Sequence, residues 1–247
     1  SDHLLGEGGY GAVYVALDHS SQPAKRVAAK RLSLRDLRPD QVAREVSTYH
    51  WVQSASTSCE YVLRLLADAV EKDEAHYLFF PLCEQGDVLD YSVSRGGLTE
   101  PEARPLFAQM CTAVAYLHSL GVVHRDIKLE NFFLTDVSDV RLGDMGLASF
   151  APVADGAAAA PVGAGAPLIC LDWAGSESYA APEVWAMTHG SAQAKAAGYD
   201  APPADVWSLG VCLFTMLANF MPVDVAIPQA DWRYDLLLQC ERSGSSY

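Results

Sequence analysis

The segment from His124 to Asn131 combines an aspartate, a lysine and an asparagine within eight residues. An aspartate can take the proton of an attacking hydroxyl group, and the amide oxygen of an asparagine can bind Mg²⁺. Lys128, between Asp126 and Asn131, is placed to neutralise a transferred phosphoryl group. The segment therefore indicates phosphoryl transfer, with Asp126 as base, Lys128 as cation and Asn131 as metal ligand.

A second acidic group follows at Asp144, in the turn Asp144-Met145-Gly146 after a predicted strand at 140–142. An aspartate before a turn is usually a turn former. Because Asp144 lies 18 residues after Asp126, we also expect it to bind Mg²⁺, which proteins hold through one or two carboxylates plus phosphate oxygens.

Lys30 ends an apolar predicted strand that begins at Arg26. Such a lysine often extends to the surface, and a glutamate on a helix is often a surface residue. A functional interpretation pairs them, with Lys30 as a fixed cation for nucleotide phosphates and Glu45, on the next predicted helix, as the carboxylate that orients it.

The glycines at 6, 8 and 11 would allow a backbone to approach a phosphate closely. A plain glycine turn and the dinucleotide-binding fingerprint of a Rossmann fold are alternatives. That fingerprint requires a helix after the glycines. Since Val13 to Leu17 reads as a strand, the pattern favours a glycine-rich hairpin.

Several elements would position these residues. Short strands and one helix, from Pro39 to about Val52, are predicted before Phe80, and mainly helices after it. Thr99 opens a capping box with a proline in the first turn, and the amphipathic helix that follows leads the chain into His124. The Ala-, Gly- and Pro-rich stretches 151–167 and 186–204 are expected to be loops.

Composition narrows the class of partner. The 247 residues carry a net charge of −14, which argues against nucleic acid and anionic membranes as partners and favours a basic peptide or protein. Six scattered cysteines without metal-ligand spacing suggest reduced thiols, and we expect a cytoplasmic or nuclear protein. The sequence does not predict the oligomeric state.

Together these segments resemble the signature set of protein kinases, in order and at workable separations. Ala181-Pro182-Glu183 resembles the end of the activation segment, and residues 205–210 resemble the start of a later helix. Lys128 and Ser176 resemble the residues found at the corresponding positions of serine/threonine kinases. The chain looks most like the calmodulin-dependent and AMP-activated-like group.

The resemblance implies an α+β fold of two lobes. It places a small, mainly β N-lobe with one helix at residues 1–80, a hinge at 81–85 and a larger, mainly α C-lobe at 86–247. The family continues beyond this point with further helices, one of which supplies an arginine for the glutamate equivalent to Glu183. We therefore expect a C-lobe that is truncated at its C-terminal end and leaves Glu183 without that partner.

The resemblance also assigns roles to single residues, with ATP and Mg²⁺ as cofactors. The catalytic set is Lys30, Glu45, Asp126 and Lys128, and the metal ligands are Asn131 and Asp144. The nucleotide-binding set is Gly6, Gly8, Gly11, Val13, Ala28, Lys30, Phe80, Pro81, Cys83, Asp87 and Phe133. In that set Phe80 looks like the gatekeeper, the backbones of Pro81 and Cys83 pair with adenine, and Asp87 reaches the ribose.

Two residues depart from the family pattern within the site. Met145 replaces the usual phenylalanine, and as a flexible apolar residue it should still allow the active arrangement. Phe133 replaces a smaller aliphatic residue in the floor of the adenine pocket, so we expect a tight nucleotide slot.

The predicted function is a serine/threonine protein kinase that acts on protein substrates. Glu130 and Asp87 occupy positions where related kinases bind substrate arginines, so we expect basic residues upstream of the target.

Asp172 falls near the usual phosphorylation site and would present a built-in negative charge to Arg125, unless it is only a solvated loop residue. The alternative function is a pseudokinase that binds nucleotide or partners without catalysis.

Overall fold

The computed structural model describes residues 4–8, 11–20, 22–72, 74–150 and 167–243. A mainly β lobe is followed by a larger, mainly helical lobe, which confirms the predicted α+β fold. Except for Pro167, the predicted loop at 151–167 lies outside the described residues.

The N-terminal lobe is built on one antiparallel sheet with the strand order β1-β2-β3-β5-β4. Its strands are β1 (Leu4–Gly8), β2 (Gly11–Asp18), β3 (Lys25–Ser33), β4 (Ala67–Glu71) and β5 (Ala75–Pro81). Strands β1 and β2 pair as a hairpin around the glycine segment, so the glycines precede a strand rather than a helix.

One helix, α1 (Pro39–Ser54), lies between β3 and β4 and confirms the predicted helix from Pro39. Proline suits the first turn because that position has no intrahelical partner for an N–H group. The side chain of Gln41 accepts a hydrogen bond of 3.0 Å from the backbone N–H of Arg38 and closes this turn. The buried face of α1 includes a glutamate, Glu45, which needs a buried partner.

The C-terminal lobe contains six helices and six short strands in the part of the chain that is described. They are α2 (Val88–Val93), α3 (Glu100–Ser119), β6 (Val122–Val123), β7 (Phe132–Asp136), β8 (Asp139–Leu142), β9 (Ser149–Phe150), β10 (Ile169–Cys170), α4 (Pro182–His189), α5 (Ala192–Ala197), β11 (Tyr199–Asp200), α6 (Ala201–Ala218) and α7 (Trp232–Ser243).

Helix α3 begins as its capping box predicts. The carboxylate of Glu102 accepts hydrogen bonds from the backbone N–H and the hydroxyl of Thr99, at 2.9 and 2.6 Å. Leu106, Met110 and Leu117 form part of its buried face. The helix ends before Gly121, whose φ of 70° is favourable for glycine, and the chain then enters the segment from His124.

The prediction of a loop at 186–204 is wrong, because this stretch folds into the second half of α4, all of α5 and β11, and the start of α6. Alanine has the highest helix propensity, and Ser191 caps α5 by accepting a hydrogen bond from the N–H of Ala194. The prolines at 202 and 203 stand in the first turn of α6. Low complexity therefore marked short helices here rather than a loop.

Helix α6 packs against α3 and is the core helix of the C-terminal lobe. By length and mean hydropathy, 18 residues and 1.3, it would suit a membrane span, but half of it is buried inside the fold. It also carries Asp205, a buried carboxylate that takes part in the site described below.

Candidate active site

A cleft of about 340 Å³ lies between the sheet and the helical lobe. Most of the predicted nucleotide-binding residues line it, together with Asp144: Gly6, Val13, Ala28, Lys30, Phe80, Pro81, Cys83, Asp87 and Phe133. Gly8 and Gly11 belong to the β1–β2 hairpin but are not part of the lining.

The glycines of the hairpin differ in what requires them. Gly11 has a φ of 137°, and a Cβ atom there would lie 2.1 Å from the carbonyl oxygen of Arg31, so the fold itself demands glycine. A Cβ atom at Gly6 or Gly8 would meet no described atom within 4 Å. Small residues there leave open space beside the cleft, as a backbone cradle for a phosphate needs; residues 9–10 lie outside the described residues.

Lys30 holds two carboxylates from different elements. Its Nζ atom lies 2.7 Å from Oε1 of Glu45 on α1 and 2.8 Å from Oδ1 of Asp144 after β8. Burial by itself would lower the pKa of Lys30, but the two carboxylates outweigh it and raise the pKa above its ordinary value. Strand β3, helix α1 and the turn at Asp144 therefore meet at one fixed cation.

The two carboxylates respond differently to this cation. Burial raises the pKa of Glu45, although the charge of Lys30 opposes the shift. For Asp144 burial also acts to raise the pKa, but the charge and hydrogen bond of Lys30 outweigh it and lower the pKa. Asp144 is thus held as a carboxylate, the form that binds a metal ion.

Tyr49 is a member of this cluster that sequence reasoning missed. It lies one turn after Glu45 on α1, lines the cleft, and its ring centroid is 4.9 Å from that of Phe80. Burial and then the charge of Glu45 raise the pKa of its phenol, while the positive charge of Lys30 acts to lower the pKa. The i, i+4 spacing from Glu45 was the signal available in the sequence.

The turn at Asp144 is stabilised by a hydrogen bond within the turn itself. Asp144 has a φ of 57°, and its Oδ1 atom accepts a hydrogen bond of 3.3 Å from the N–H of Gly146. Met145 is fully buried in the core, so the residue that departs from the family pattern still packs inward while Asp144 faces Lys30.

Asp126 is surrounded by the polar residues that the sequence grouped with it. The hydroxyl of Ser176 donates to its Oδ1 atom at 2.8 Å, and the ammonium of Lys128 lies 2.9 Å from Oδ2. The amide nitrogen of Asn131 donates to the backbone oxygen of Asp126 at 2.7 Å. Since that nitrogen is engaged, Oδ1 of Asn131 is the atom left to bind a cation.

Asp205 holds the backbone on the N-terminal side of Asp126. Its two carboxylate oxygens accept hydrogen bonds of 2.9 Å from the N–H groups of His124 and Arg125, and His118 binds the same carboxylate at 2.8 Å. The ring of His124 in turn donates to the backbone oxygen of Gly143 at 2.9 Å. These bonds connect helix α6, the loop of Asp126 and the turn of Asp144.

Arg125 connects the same loop to the segment before α4. Its φ of 64° is unusual for a residue with a side chain, and its guanidinium donates to the backbone oxygen of Leu147 at 2.8 Å and to Asp172 at 2.6 Å. Burial acts to lower the pKa of Arg125, but the Asp172 pair outweighs it and raises the pKa.

Two acidic residues, Asp87 and Asp90, line the cleft, and Glu130 lies close to Asp87. Asp87 caps α2 by accepting a hydrogen bond of 2.9 Å from the N–H of Asp90. Burial, and then the nearby charges of Asp90 and Glu130, raise the pKa of Asp87. The hydroxyl of Tyr179 donates to Glu130 at 3.1 Å and fixes its carboxylate.

Glu183 lies in the first turn of α4 and forms no ion pair within the ranges that the structure describes. Likewise, the described residues hold no group of three or more His, Cys, Asp or Glu side chains that could enclose a metal ion. A divalent ion in this cleft would need oxygen atoms from a ligand beside those of Asn131 and Asp144.

The sequence profile of the protein kinase domain matches residues 1–236. CBL-interacting protein kinase 22 of Oryza sativa subsp. japonica is 41% identical over 184 residues, which cover 74% of this chain and 36% of the relative. CBL-interacting serine/threonine-protein kinase 13 of Arabidopsis thaliana is 32% identical over 223 residues, 90% of this chain and 39% of the relative.

Serine/threonine-protein kinase SIK1 of Mus musculus is 35% identical over 159 residues, 64% of this chain and 18% of the relative. The chain therefore spans well under half the length of these curated relatives.

Proposed function

The chain belongs to the protein kinase family, and on that premise we propose that it transfers the γ-phosphoryl group of ATP to serine or threonine side chains of protein substrates. The family uses ATP and a divalent metal ion, and its named relatives are serine/threonine kinases. That the ion is Mg²⁺ is part of the proposal.

The observation that carries the proposal is the double ion pair of Lys30 with Glu45 and Asp144, at 2.7 and 2.8 Å. Phosphoryl transfer depends mainly on positioning and on charge neutralisation. A cation fixed by a buried glutamate and next to a metal-binding carboxylate meets both needs. A protein that only binds partners does not need this arrangement.

The residues present fit the two cofactors. Open space at Gly6 and Gly8 suits a phosphate group, and Asn131 and Asp144 offer the oxygen atoms that Mg²⁺ prefers. Two protein ligands completed by phosphate oxygens are typical of Mg²⁺ in nucleotide sites. Bound Mg²⁺–ATP supplies the phosphoryl group together with the charge that offsets it.

Asp126 is the proposed base. Its Oδ1 atom accepts one hydrogen bond, from Ser176, and a carboxylate oxygen has a second acceptor position for the proton of a substrate hydroxyl. The neighbouring cation Lys128 stabilises negative charge at this point. Burial acts to lower the pKa of Lys128, but the charge of Asp126 outweighs burial, so the pKa of Lys128 is raised. Lys128 can therefore stay protonated while phosphate charge approaches.

We further propose that the substrate carries arginine or lysine upstream of the target residue. Asp90 and Glu130 lie close enough to Asp87 for their negative charges to act on its carboxylate. A basic side chain would relieve that repulsion, and the net charge of −14 favours a basic partner throughout.

The proposed location remains cytoplasmic or nuclear, with no role for nucleic acid or a membrane surface.

The test is phosphorylation of a basic serine peptide by the chain with Mg²⁺ and ATP, with Asp126→Asn as the control. The proposal expects peptide phosphorylation that the control lacks. Equal incorporation by both proteins, with nucleotide binding retained, would favour a scaffold; nothing in the comparisons favours that alternative.

A further inference from the structure

Two residues of the cleft floor are fitted to each other. Phe133 lines the cleft, while its neighbour Phe132 is fully buried, as the alternation of a strand requires. Gly143 follows β8, the strand that pairs with β7. A Cβ atom at position 143 would lie 2.9 Å from Cε2 and 3.3 Å from Cδ2 of Phe133. The phenyl ring thus occupies the place of a side chain at 143.

Backbone conformation does not require glycine at this position. The φ of Gly143 lies outside the left-handed region, unlike that of Gly11. The requirement comes from its neighbours, Phe133 on one side and Cδ2 of Leu63, 3.1 Å from the same point, on the other. A contact shorter than 3.0 Å to a ring atom forces that ring to move.

The backbone at 143 has little freedom to relieve such a contact. The N–H of Gly143 donates to the carbonyl of Asn131 at 2.9 Å, and its carbonyl accepts from the ring of His124 at 2.9 Å. Both partners belong to the loop of Asp126. A side chain at 143 would therefore displace the phenyl ring of Phe133, which borders the cleft.

We propose that Phe133 and Gly143 are a matched pair that sets the depth of the adenine-binding slot and so determines which planar ligands it accepts. The inference rests on the proposed nucleotide site. The phenyl ring of Phe133 offers a flat surface for a purine. Because residue 143 has no side chain, this ring can pack against position 143 and leave room above it for the purine. The two residues shape specificity and do not take part in the transfer itself.

The test measures the dissociation constant of Mg²⁺–ATP by calorimetry for the parent chain, Gly143→Ala, Phe133→Leu and the double variant. Gly143→Ala should weaken binding about tenfold, since overpacking pushes the ring into the slot. Phe133→Leu removes the ring atoms that clash, so adding Gly143→Ala to it should change affinity by less than about threefold. Gly210→Ala, where a Cβ atom meets nothing within 4 Å, is the matched control.

Parent-like affinity of Gly143→Ala overturns the pair, and so does a double variant about tenfold weaker than Phe133→Leu. If Gly143→Ala does not fold, the comparison of Phe133→Leu with the double variant still decides. If the parent chain does not bind Mg²⁺–ATP, both the proposed function and the proposed pair are contradicted. If it binds Mg²⁺–ATP and substitutions at position 143 do not change the affinity, only the pair is contradicted.

Discussion

The guanidinium of Arg125 lies 2.6 Å from the carboxylate of Asp172, a residue 47 positions further along the chain. The arginine side chain is only 4% exposed and the aspartate side chain 63% exposed, so the pair joins a buried cation to a surface segment. Arg125 immediately precedes Asp126. The pair therefore ties the segment before α4 to the loop that carries the proposed base.

Asp172→Ala should lower peptide phosphorylation by about tenfold, because the buried Arg125 loses its acidic partner and the Asp126 loop loses a constraint. Asp172→Glu keeps the charge and should retain most of the activity. Initial rates at saturating ATP measure both variants. Unchanged turnover in Asp172→Ala would show that this residue is a solvated loop aspartate and not a built-in substitute for phosphate.

Glu45→Gln should raise the KM for ATP and reduce kcat/KM by about tenfold or more. Lys30 would lose one of the two carboxylate charges that together outweigh its desolvation, and its orientation towards the phosphates would be less fixed. The control is Glu74→Gln, which removes an exposed partner of Arg35 and should leave both constants unchanged. A variant with parent-like KM for ATP would contradict the proposed role of Glu45.

Tyr49→Phe keeps the ring contact with Phe80 but removes the hydroxyl beside Lys30, Glu45 and Asp144. We expect a severalfold loss of kcat/KM with little change in Tm, because packing is preserved. Tyr77→Phe, which loses only a surface hydrogen bond to Glu71, is the matched control. Steady-state kinetics and thermal unfolding separate the two effects; kinetics equal to those of the control variant would leave Tyr49 as a packing residue only.

Local patterns in the sequence were enough to predict much of this fold. The capping box at Thr99 located the start of α3, and the strand after the glycines distinguished a hairpin from a Rossmann turn. Both features depend on neighbouring residues, so they can be read without the rest of the chain. The grouping of Lys128 and Asn131 around Asp126 is local for the same reason.

Other features depend on which faces meet in three dimensions. The fit of Phe133 against Gly143 joins strand β7 to the residue after β8, and the place of Tyr49 beside Asp144 joins a helix to a distant turn. Neither contact can be predicted from local patterns, although the i, i+4 spacing of Glu45 and Tyr49 does place those two residues on one face of α1. The loop predicted at 186–204 is wrong for another reason, since an alanine-rich composition is typical of low-complexity loops but alanine is also the strongest helix former.

Glu130→Gln tests the proposed preference for basic substrates. It should raise the KM for a peptide with an upstream arginine by about two- to fivefold and leave the KM for ATP unchanged, since an ion pair in contact with solvent contributes up to about 1 kcal/mol. The same peptide with alanine in place of the arginine serves as the control and should be insensitive to the variant. Equal losses on both peptides would assign Glu130 to the structure, through its bond from Tyr179, rather than to recognition.

Asp205→Asn tests how the loop of Asp126 is supported. The carboxylate is buried, with 2% of its side chain exposed, and both oxygens accept from backbone N–H groups. An asparagine turns one of these acceptors into a donor and leaves a buried N–H unsatisfied, so we expect a loss of about 3 kcal/mol in the free energy of unfolding. For a chain of this size that corresponds to a fall in Tm of about 6–12 °C.

Asp224→Asn, whose side chain is 78% exposed beside Arg233, should change Tm by no more than about 2–4 °C. Comparable Tm values for the two variants would mean that Asp205 does not anchor the loop.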